Sequence, residues 1–144
     1  MLRSESVSHV VTSGIDLPIM ARPDQRSCQY LPMEIRRLTA GDRALVLAAA
    51  ELFDAPPTAE WTERFLTAPG HHLLLAEVAG EPAGFVTGVE LVHPDKGTEM
   101  FLYELAVDDP YRRQGIGTAL VRALETKARS LGCYGMWVLT EYEN

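Results

Sequence analysis

The stretch that decides the fold is YELAVDDPYRRQGIG, residues 103–117. An apolar strand runs here into a short acidic turn, after which a basic pair and two glycines open an amphipathic helix predicted from Thr118 to Leu131. The backbone N–H groups around Gly115 and Gly117 have no partners inside that helix, and they point forward with the positive end of its dipole. Such a terminus binds phosphate or pyrophosphate, so the stretch predicts a site for a phosphorylated cofactor.

The spacing of the basic and glycine residues also carries a family resemblance. Arg112-x-x-Gly115-x-Gly117, after a strand and before a helix, resembles the acetyl-CoA-binding signature of the GCN5-related N-acetyltransferase (GNAT) superfamily. Residues 99–107, 112–116, 131–134 and 141–142 resemble one branch more closely, the aminoglycoside 3-N-acetyltransferases of the gentamicin-resistance type. The resemblance covers roughly residues 33–144. It implies transfer of an acetyl group from acetyl-CoA to a primary amine, most of all that of an aminoglycoside, without a metal.

Length, charge and cysteine content narrow the class of protein. A chain of 144 residues is one domain by length, and no apolar run or secretory signal predicts contact with a membrane. Two distant cysteines, Cys28 and Cys133, do not form a disulfide framework, so we expect a cytoplasmic protein. A net charge of −7 argues against a nucleic-acid partner. It suits a polycationic substrate, although modest acidity also serves solubility alone.

The pattern along the chain predicts a leader followed by one α/β domain. Residues 1–32 are rich in Ser, Thr and Pro without a sustained period, so we expect them to be disordered or loosely attached, and dispensable. The domain, residues 33–144, contains a strand from Met33 to Leu38, helices from Asp42 to Phe53 and from Ala59 to Thr67, strands from His71 to Ala79, Ala83 to His93 and Glu99 to Val107, the helix from Thr118 to Leu131, and a last strand from Tyr134 to Thr140. This order predicts a GNAT-type α/β sandwich with a mixed, mostly antiparallel sheet flanked by helices.

The resemblance implies that a further helix and strand would normally follow the last strand. The given sequence contains neither, so by resemblance we expect a domain truncated at its C-terminus, without the tyrosine that serves the family as acid. One edge of the last strand would then be unpaired, and an exposed apolar edge tends to pair with another chain. We therefore expect a homodimer in which two copies cover each other's edge.

The cofactor site is predicted from the same central stretch. By resemblance, backbone groups of Leu105, Ala106 and Val107 contact the pantetheine arm, although these residues would also suit a plain core strand. Arg112 and Arg113 add charge for the pyrophosphate, or are an ordinary solvated pair. The start of the helix supplies backbone N–H groups, from Gln114, Gly115, Ile116, Gly117 and Thr118.

Glu104 is the predicted catalytic base. Strand alternation places Leu105 and Val107 on one face and Glu104 with Leu102 and Ala106 on the other. A carboxylate in so apolar a strand is partly desolvated, which raises its pKa toward a value useful for proton transfer. Alternatively, Glu104 only binds a cationic amine while water removes the proton.

Further polar residues are candidates for contact with the amine substrate. We expect an acidic or polar wall made of Glu99, Tyr103, Asp108, Asp109, Glu141 and Glu143, although Asp is common in turns and Glu99 would also suit a solvated rim. The sequence contains no spacing of His, Cys, Asp or Glu that is typical of a metal site. We expect the pair His71-His72 to lie at the start of a strand. Trp61 and Trp137 are predicted to lie in the core.

Two other functions fit the same sequence. One is the same chemistry on a protein lysine or a small metabolite amine. The other is a catalytically silent domain that binds acyl-CoA without turning it over.

Overall fold

The computed structural model describes residues 5–6 and 32–140. Its strands are β1 (Glu5–Ser6), β2 (Met33–Arg37), β3 (His71–Val78), β4 (Glu81–His93), β5 (Gly97–Val107) and β6 (Met136–Val138), and its helices are α1 (Arg43–Ala48), α2 (Ala59–Thr67) and α3 (Ile116–Ser130). Among these residues, no helix is long and apolar enough to span a membrane.

The six strands form one sheet in the order β1-β6-β5-β4-β3-β2. Neighbours are antiparallel except for β5 and β6, which are parallel because α3 forms the crossover between them. The predicted sandwich with a mixed, mostly antiparallel sheet is therefore confirmed. Helix α3 covers one face of the sheet, while α1 and α2 cover the other.

Helix α3 packs very close to the sheet because two glycines of β4 lie beneath it. A Cβ atom at Gly88 would lie 2.8 Å from both Leu124 Cδ1 and Met100 Sδ, and one at Gly84 would lie 3.3 Å from Leu120 Cδ1. The buried side of the helix follows helical spacing, with Ile116, Leu120, Leu124 and Ala128. This contact fixes the position of the N-terminus of α3 over the end of β5.

The opposite face has its own core under α1 and α2. Its buried members are Leu38, Val46, Ala49, Leu73, Leu75 and Phe85. Phe53 stacks on Phe85 with ring centroids 4.2 Å apart, and Phe85 is opposite Ala106 in the register of β4 and β5. The loop that carries Phe53 is thereby held over the C-terminal half of β5.

The first predicted helix is shorter than expected. The range from Asp42 to Phe53 forms only the six-residue α1, with 3₁₀ turns at Ala40–Asp42 and Ala50–Leu52 on either side. Its residues favour helix, but packing of Leu52 and Phe53 against the core overrides that propensity. The second helix has the predicted bounds, and Thr58 Oγ1 caps it by accepting a hydrogen bond from the Trp61 N–H at 3.2 Å.

The two tryptophans do not share one environment. Trp137 packs against the core and stacks on Phe101 at 4.2 Å. Trp61 is 64% exposed, so its predicted place in the core is wrong. The apolar side of α2 that contacts the core consists of Phe65 and Leu66, which leaves Trp61 toward solvent.

The last strand is shorter than predicted, and its outer edge is covered. Only Met136–Val138 pair with β5, because the strands β5 and β6 diverge after Val138. On the other side of β6, Glu5 pairs with Val138 and Ser6 with Trp137. The edge predicted to be unpaired is thus occupied by β1, which removes the stated reason for a homodimer, and the dimer stays a prediction. The rest of the leader lies outside the described residues.

Candidate active site

A β-bulge at Tyr103 determines which way the central side chains point. In the pairing of β4 with β5, Thr87 is opposite Glu104 and Gly88 is opposite Leu102, so Tyr103 is an extra residue. Leu102 therefore lies in the core under α3, whereas Ala106 packs in the core under α1 and α2. The predicted shared face of Leu102 and Glu104 is wrong, because the bulge shifts the alternation by one residue.

Strand β5 separates from β6 just after this bulge. Pairing with β6 extends over Met100, Phe101 and Leu102 only. Within residues 32–140, no strand pairs with the range 103–107 on that side. An open strand edge offers backbone donors and acceptors to a ligand. This is the geometry that the resemblance implies for Leu105, Ala106 and Val107.

A cleft of about 900 Å³, here called the main cleft, opens where β5 ends and α3 begins. Its size lies within the range typical of small-molecule sites, about 300–1,000 Å³. The predicted residues that line it are Glu104, Leu105, Ala106, Val107, Asp108, Asp109, Arg112, Arg113, Gly115, Ile116, Gly117 and Thr118. They are joined by Tyr111 and by the loop residues Glu51, Leu52, Phe53 and Asp54, which the sequence analysis did not single out.

The N-terminus of α3 forms one end of the main cleft. Gly115 caps the helix with φ +84° and no side-chain cap, and Arg113 is also left-handed at φ +62°. The first helical hydrogen bond runs from the Ala119 N–H to the Gly115 carbonyl, so the N–H groups just after Gly115 have no partner inside the helix. Left-handed residues in such a turn direct successive N–H groups toward one point, which favours an anion.

The two neighbouring arginines differ in their contacts. Arg112 Nε donates to the Val107 carbonyl at 3.1 Å, and its Nη1 lies 3.0 Å from Asp109 Oδ1. Arg112 therefore braces the turn between β5 and α3, and because it also lines the main cleft, its predicted part in holding the pyrophosphate stays a prediction. The Arg113 side chain makes no hydrogen bond or ion pair with any residue the structure describes, and it lines the main cleft. Gln114 Nε2 donates to the Pro110 carbonyl at 3.2 Å, and Gln114 does not line the cleft.

Glu104 lies in a partly desolvated and negatively charged environment. Burial raises the pKa of its carboxyl group, as the sequence predicts, and the negative charge of Asp54 raises that pKa further. Asp54 reaches this position because Phe53 anchors its loop on the sheet. The only local signal for Asp54 was an acidic residue shortly before Pro56-Pro57, which would not by itself have indicated a site.

The predicted substrate residues other than Glu99 separate into three groups. Asp108 and Asp109 line the main cleft, although Asp108 Oδ1 accepts the Asp109 N–H at 3.0 Å and Asp109 pairs with Arg112. Tyr103 is 70% exposed and lies next to Glu104. The positions of Glu141 and Glu143 lie outside the described residues.

Glu99 is not among the residues that line the main cleft, and its predicted contact with the substrate stays a prediction. It lies five residues before Glu104, about 17 Å away along an extended strand. Its Oε2 accepts a hydrogen bond from the Tyr134 hydroxyl at 2.7 Å, and this bond raises the pKa of Tyr134.

His72, the second residue of the histidine pair, makes hydrogen bonds with two side chains of the sheet. His72 is buried, with Nε2 2.8 Å from Glu90 Oε2, while its Nδ1 accepts from Arg37 Nε at 3.2 Å. Across residues 5–6 and 32–140, no group of His, Cys, Asp and Glu is arranged to hold a metal ion.

Fold and site together define an α/β domain in which an opened strand leads into a helix whose first backbone N–H groups have no partner inside the helix. The model of the acetyltransferase (GNAT) family matches residues 36–144, and the chain belongs to this family.

The proteins that this chain resembles are acetyltransferases named for different acceptors. Mycothiol acetyltransferase from Salinispora arenicola (strain CNS-205) is 41% identical over 83 residues, which cover 56% of this chain but only 26% of that protein. The crystal structure of an aminoglycoside acetyltransferase from an uncultured soil metagenomic sample is 26% identical, with a TM-score of 0.69 over 78% of this chain and 82% of that one. A ribosomal-protein-alanine N-acetyltransferase from Brucella melitensis biovar Abortus 2308 is 25% identical, with a TM-score of 0.61 over 74% and 79%.

Proposed function

We propose that this chain transfers an acetyl group from acetyl-CoA to a primary amine, and that the amine belongs to an aminoglycoside. The observation that carries the proposal is that one cleft is lined both by the N-terminus of α3, where backbone N–H groups lack helical partners, and by Glu104, whose pKa is raised by burial. The chain spans about a quarter of the mycothiol acetyltransferase that it matches, so the name of that relative does not decide the acceptor.

The cofactor would be held by backbone more than by side chains. The unpaired N–H groups at the start of α3 and the side chain of Arg113 bind the pyrophosphate, where Arg offers forked donors. The pantetheine arm then runs along the open edge of β5 at Leu105 to Val107. This arrangement would bring the thioester toward Glu104. Because the two reactants are then already positioned, the entropy cost of reaching the transition state is lower.

Glu104 would act as the base toward the amine. The amine nitrogen attacks the thioester carbonyl carbon, the C–S bond breaks, and the CoA thiolate leaves. Glu104 accepts the proton that the nitrogen loses, and this proton returns through water or directly to the thiolate. The raised pKa makes the Glu104 carboxylate a better proton acceptor than an ordinary carboxylate.

The aminoglycoside assignment is supported by charge and by one relative. The main cleft is lined by more carboxylates than cations, and this excess of negative charge attracts a polycation; its charged residues are Glu51, Asp54, Glu104, Asp108 and Asp109 against Arg112 and Arg113. The aminoglycoside acetyltransferase described above shares the fold at 26% identity. A small metabolite amine or a protein amine is the second candidate, supported by the names of the other two relatives. A cytoplasmic location stays a prediction.

A melting-temperature measurement with acetyl-CoA, followed by acetylation assays that detect free CoA thiol, tests the proposal. A ligand that binds only the folded chain raises its melting temperature. The assays compare an aminoglycoside such as kanamycin with a lysine-containing peptide. Binding without turnover on any amine would favour the silent acyl-CoA-binding domain, and absence of any shift would contradict the cofactor assignment.

A further inference from the structure

A second pocket of about 220 Å³, here called the side pocket, opens on the α2 face of β5. It shares Phe53 and Glu104 with the main cleft, so the two cavities meet at the proposed base. Its other lining residues are Val46, Pro57, Thr58, Trp61, Thr62, Phe65, Leu66, Leu73, Thr87 and Tyr103.

The lining of the side pocket is apolar and rich in aromatic rings. Glu104 is the one charged residue among those that line it. Trp61 and Tyr103 are 64% and 70% exposed, and the guanidinium carbon of Arg64 lies 5.1 Å from the centre of the Trp61 ring. Large exposed aromatic side chains beside a concave apolar surface are typical of a ligand site.

A buried hydroxyl group inside the side pocket has no partner. Thr87 is 5% exposed, it is opposite Glu104 in the register of β4 and β5, and its Oγ1 makes no hydrogen bond with the described residues. A buried hydroxyl without a partner is costly in free energy, and a ligand that supplied a hydrogen bond would remove that cost. Thr87 thus marks the part of the side pocket next to Glu104 as a place for a polar atom.

We propose that the site takes a further class of acceptor, a primary amine that carries an apolar group about the size of one ring. The ring enters the side pocket beside Trp61, while the amine lies between Glu104 and Thr87 and donates a hydrogen bond to each. A volume of about 150 Å³ accommodates benzene in an engineered cavity, so 220 Å³ is sufficient. The inference rests on the proposed acetyl transfer for its chemistry, but not for its binding step.

Binding is measured by titrating the full chain with 2-phenylethylamine and with ethanolamine while following the two indole N–H signals by NMR. Ethanolamine keeps the amine and replaces the ring by a hydroxyl group. We expect the Trp61 signal to move with 2-phenylethylamine, while the Trp137 signal, which comes from another part of the sheet, stays in place. The dissociation constant for ethanolamine should be at least about tenfold higher.

Two variants and a control tie the binding to the pocket. Trp61→Ala should weaken 2-phenylethylamine about tenfold, and Thr87→Val, which keeps the shape of the side chain, should weaken it about threefold. Val92→Ala removes another exposed apolar side chain far from the pocket and should change nothing. Equal affinity for the two amines, or affinity unaffected by Trp61→Ala, would overturn the inference. Turnover of kanamycin without binding of 2-phenylethylamine would also overturn it, while the proposed function would stand.

Discussion

At the scale of single residues, Asp54 contributes to the raised pKa of Glu104. Its negative charge adds to the effect of burial in raising the pKa of Glu104. Asp54→Asn should therefore lower that pKa toward its ordinary value. A base works only when deprotonated, so the acid limb of the pH–rate profile should move to lower pH. The profile of kcat/KM against pH measures this, and Asp95→Asn, in the turn at the other end of β5, is the matched control.

The two arginines of the turn allow a second residue-level test. Arg112 is bound to Val107 and Asp109, whereas Arg113 lines the cleft without such contacts. Arg113→Ala should weaken acetyl-CoA about tenfold with unchanged stability, because it removes a charged partner of the phosphate. Arg112→Ala should lower the free energy of unfolding by about 1 kcal/mol instead. Calorimetric titration and urea unfolding separate the two, and the reverse pattern would contradict these assignments.

The sequence predicted some of these residues and missed others for a physical reason. Glu104, Arg113 and Gly115 lie in one continuous stretch, where local pattern carries the information. Asp54, Trp61 and Thr87 come from other elements and meet Glu104 only after folding. The bulge at Tyr103 was also hidden, since it depends on the partner strand and not on the alternation within β5.

At the scale of elements, the turn into α3 is where backbone geometry should matter most. Gly115 has φ +84°, which an L side chain rarely adopts, whereas a Cβ at Gly117 would meet Val107 Cγ2 at an ordinary 3.7 Å. Gly115→Ala should destabilise the chain by about 1 kcal/mol and weaken acetyl-CoA. Gly117→Ala should preserve stability and the melting shift with acetyl-CoA.

Replacing both glycines by valine should abolish that shift, because the side chains would occupy the approach to the helix N–H groups. Urea unfolding identifies variants that are folded well enough to compare. A folded double variant that binds acetyl-CoA normally would show that the pyrophosphate lies elsewhere.

The sequence predicted a helix correctly where the signals for its start and its end both lie next to it in the chain. Helix α2 was predicted at its observed bounds, and the sequence places a capping residue, Thr58, directly before it and the Pro69-Gly70 pair shortly after it. The helix expected over residues 42–53 failed, because its second half is shaped by tertiary packing of Leu52 and Phe53. The last strand was too long in the prediction, because its end depends on where β5 diverges from it.

At the scale of the whole molecule, the leader is expected to protect the sheet. Pairing of Glu5–Ser6 covers the outer edge of β6, on the side of that strand away from β5. A chain that begins at Met33 should therefore bind acetyl-CoA like the full chain but associate more strongly, because an apolar edge becomes open. Sedimentation velocity at micromolar concentration measures this. Identical sedimentation of both chains would show that β1 does not protect the edge.

The central claim is that the main cleft unites a cofactor site with a base at Glu104. The most direct test is the acetyl-transfer rate of Glu104→Gln across pH, on an amine that the unmodified chain acetylates. We predict a fall in kcat of about 100-fold, with the acid limb of the profile lost and the melting shift with acetyl-CoA unchanged. A rate equal to that of the unmodified chain at every pH would contradict the claim and leave Glu104 a packing or recognition residue.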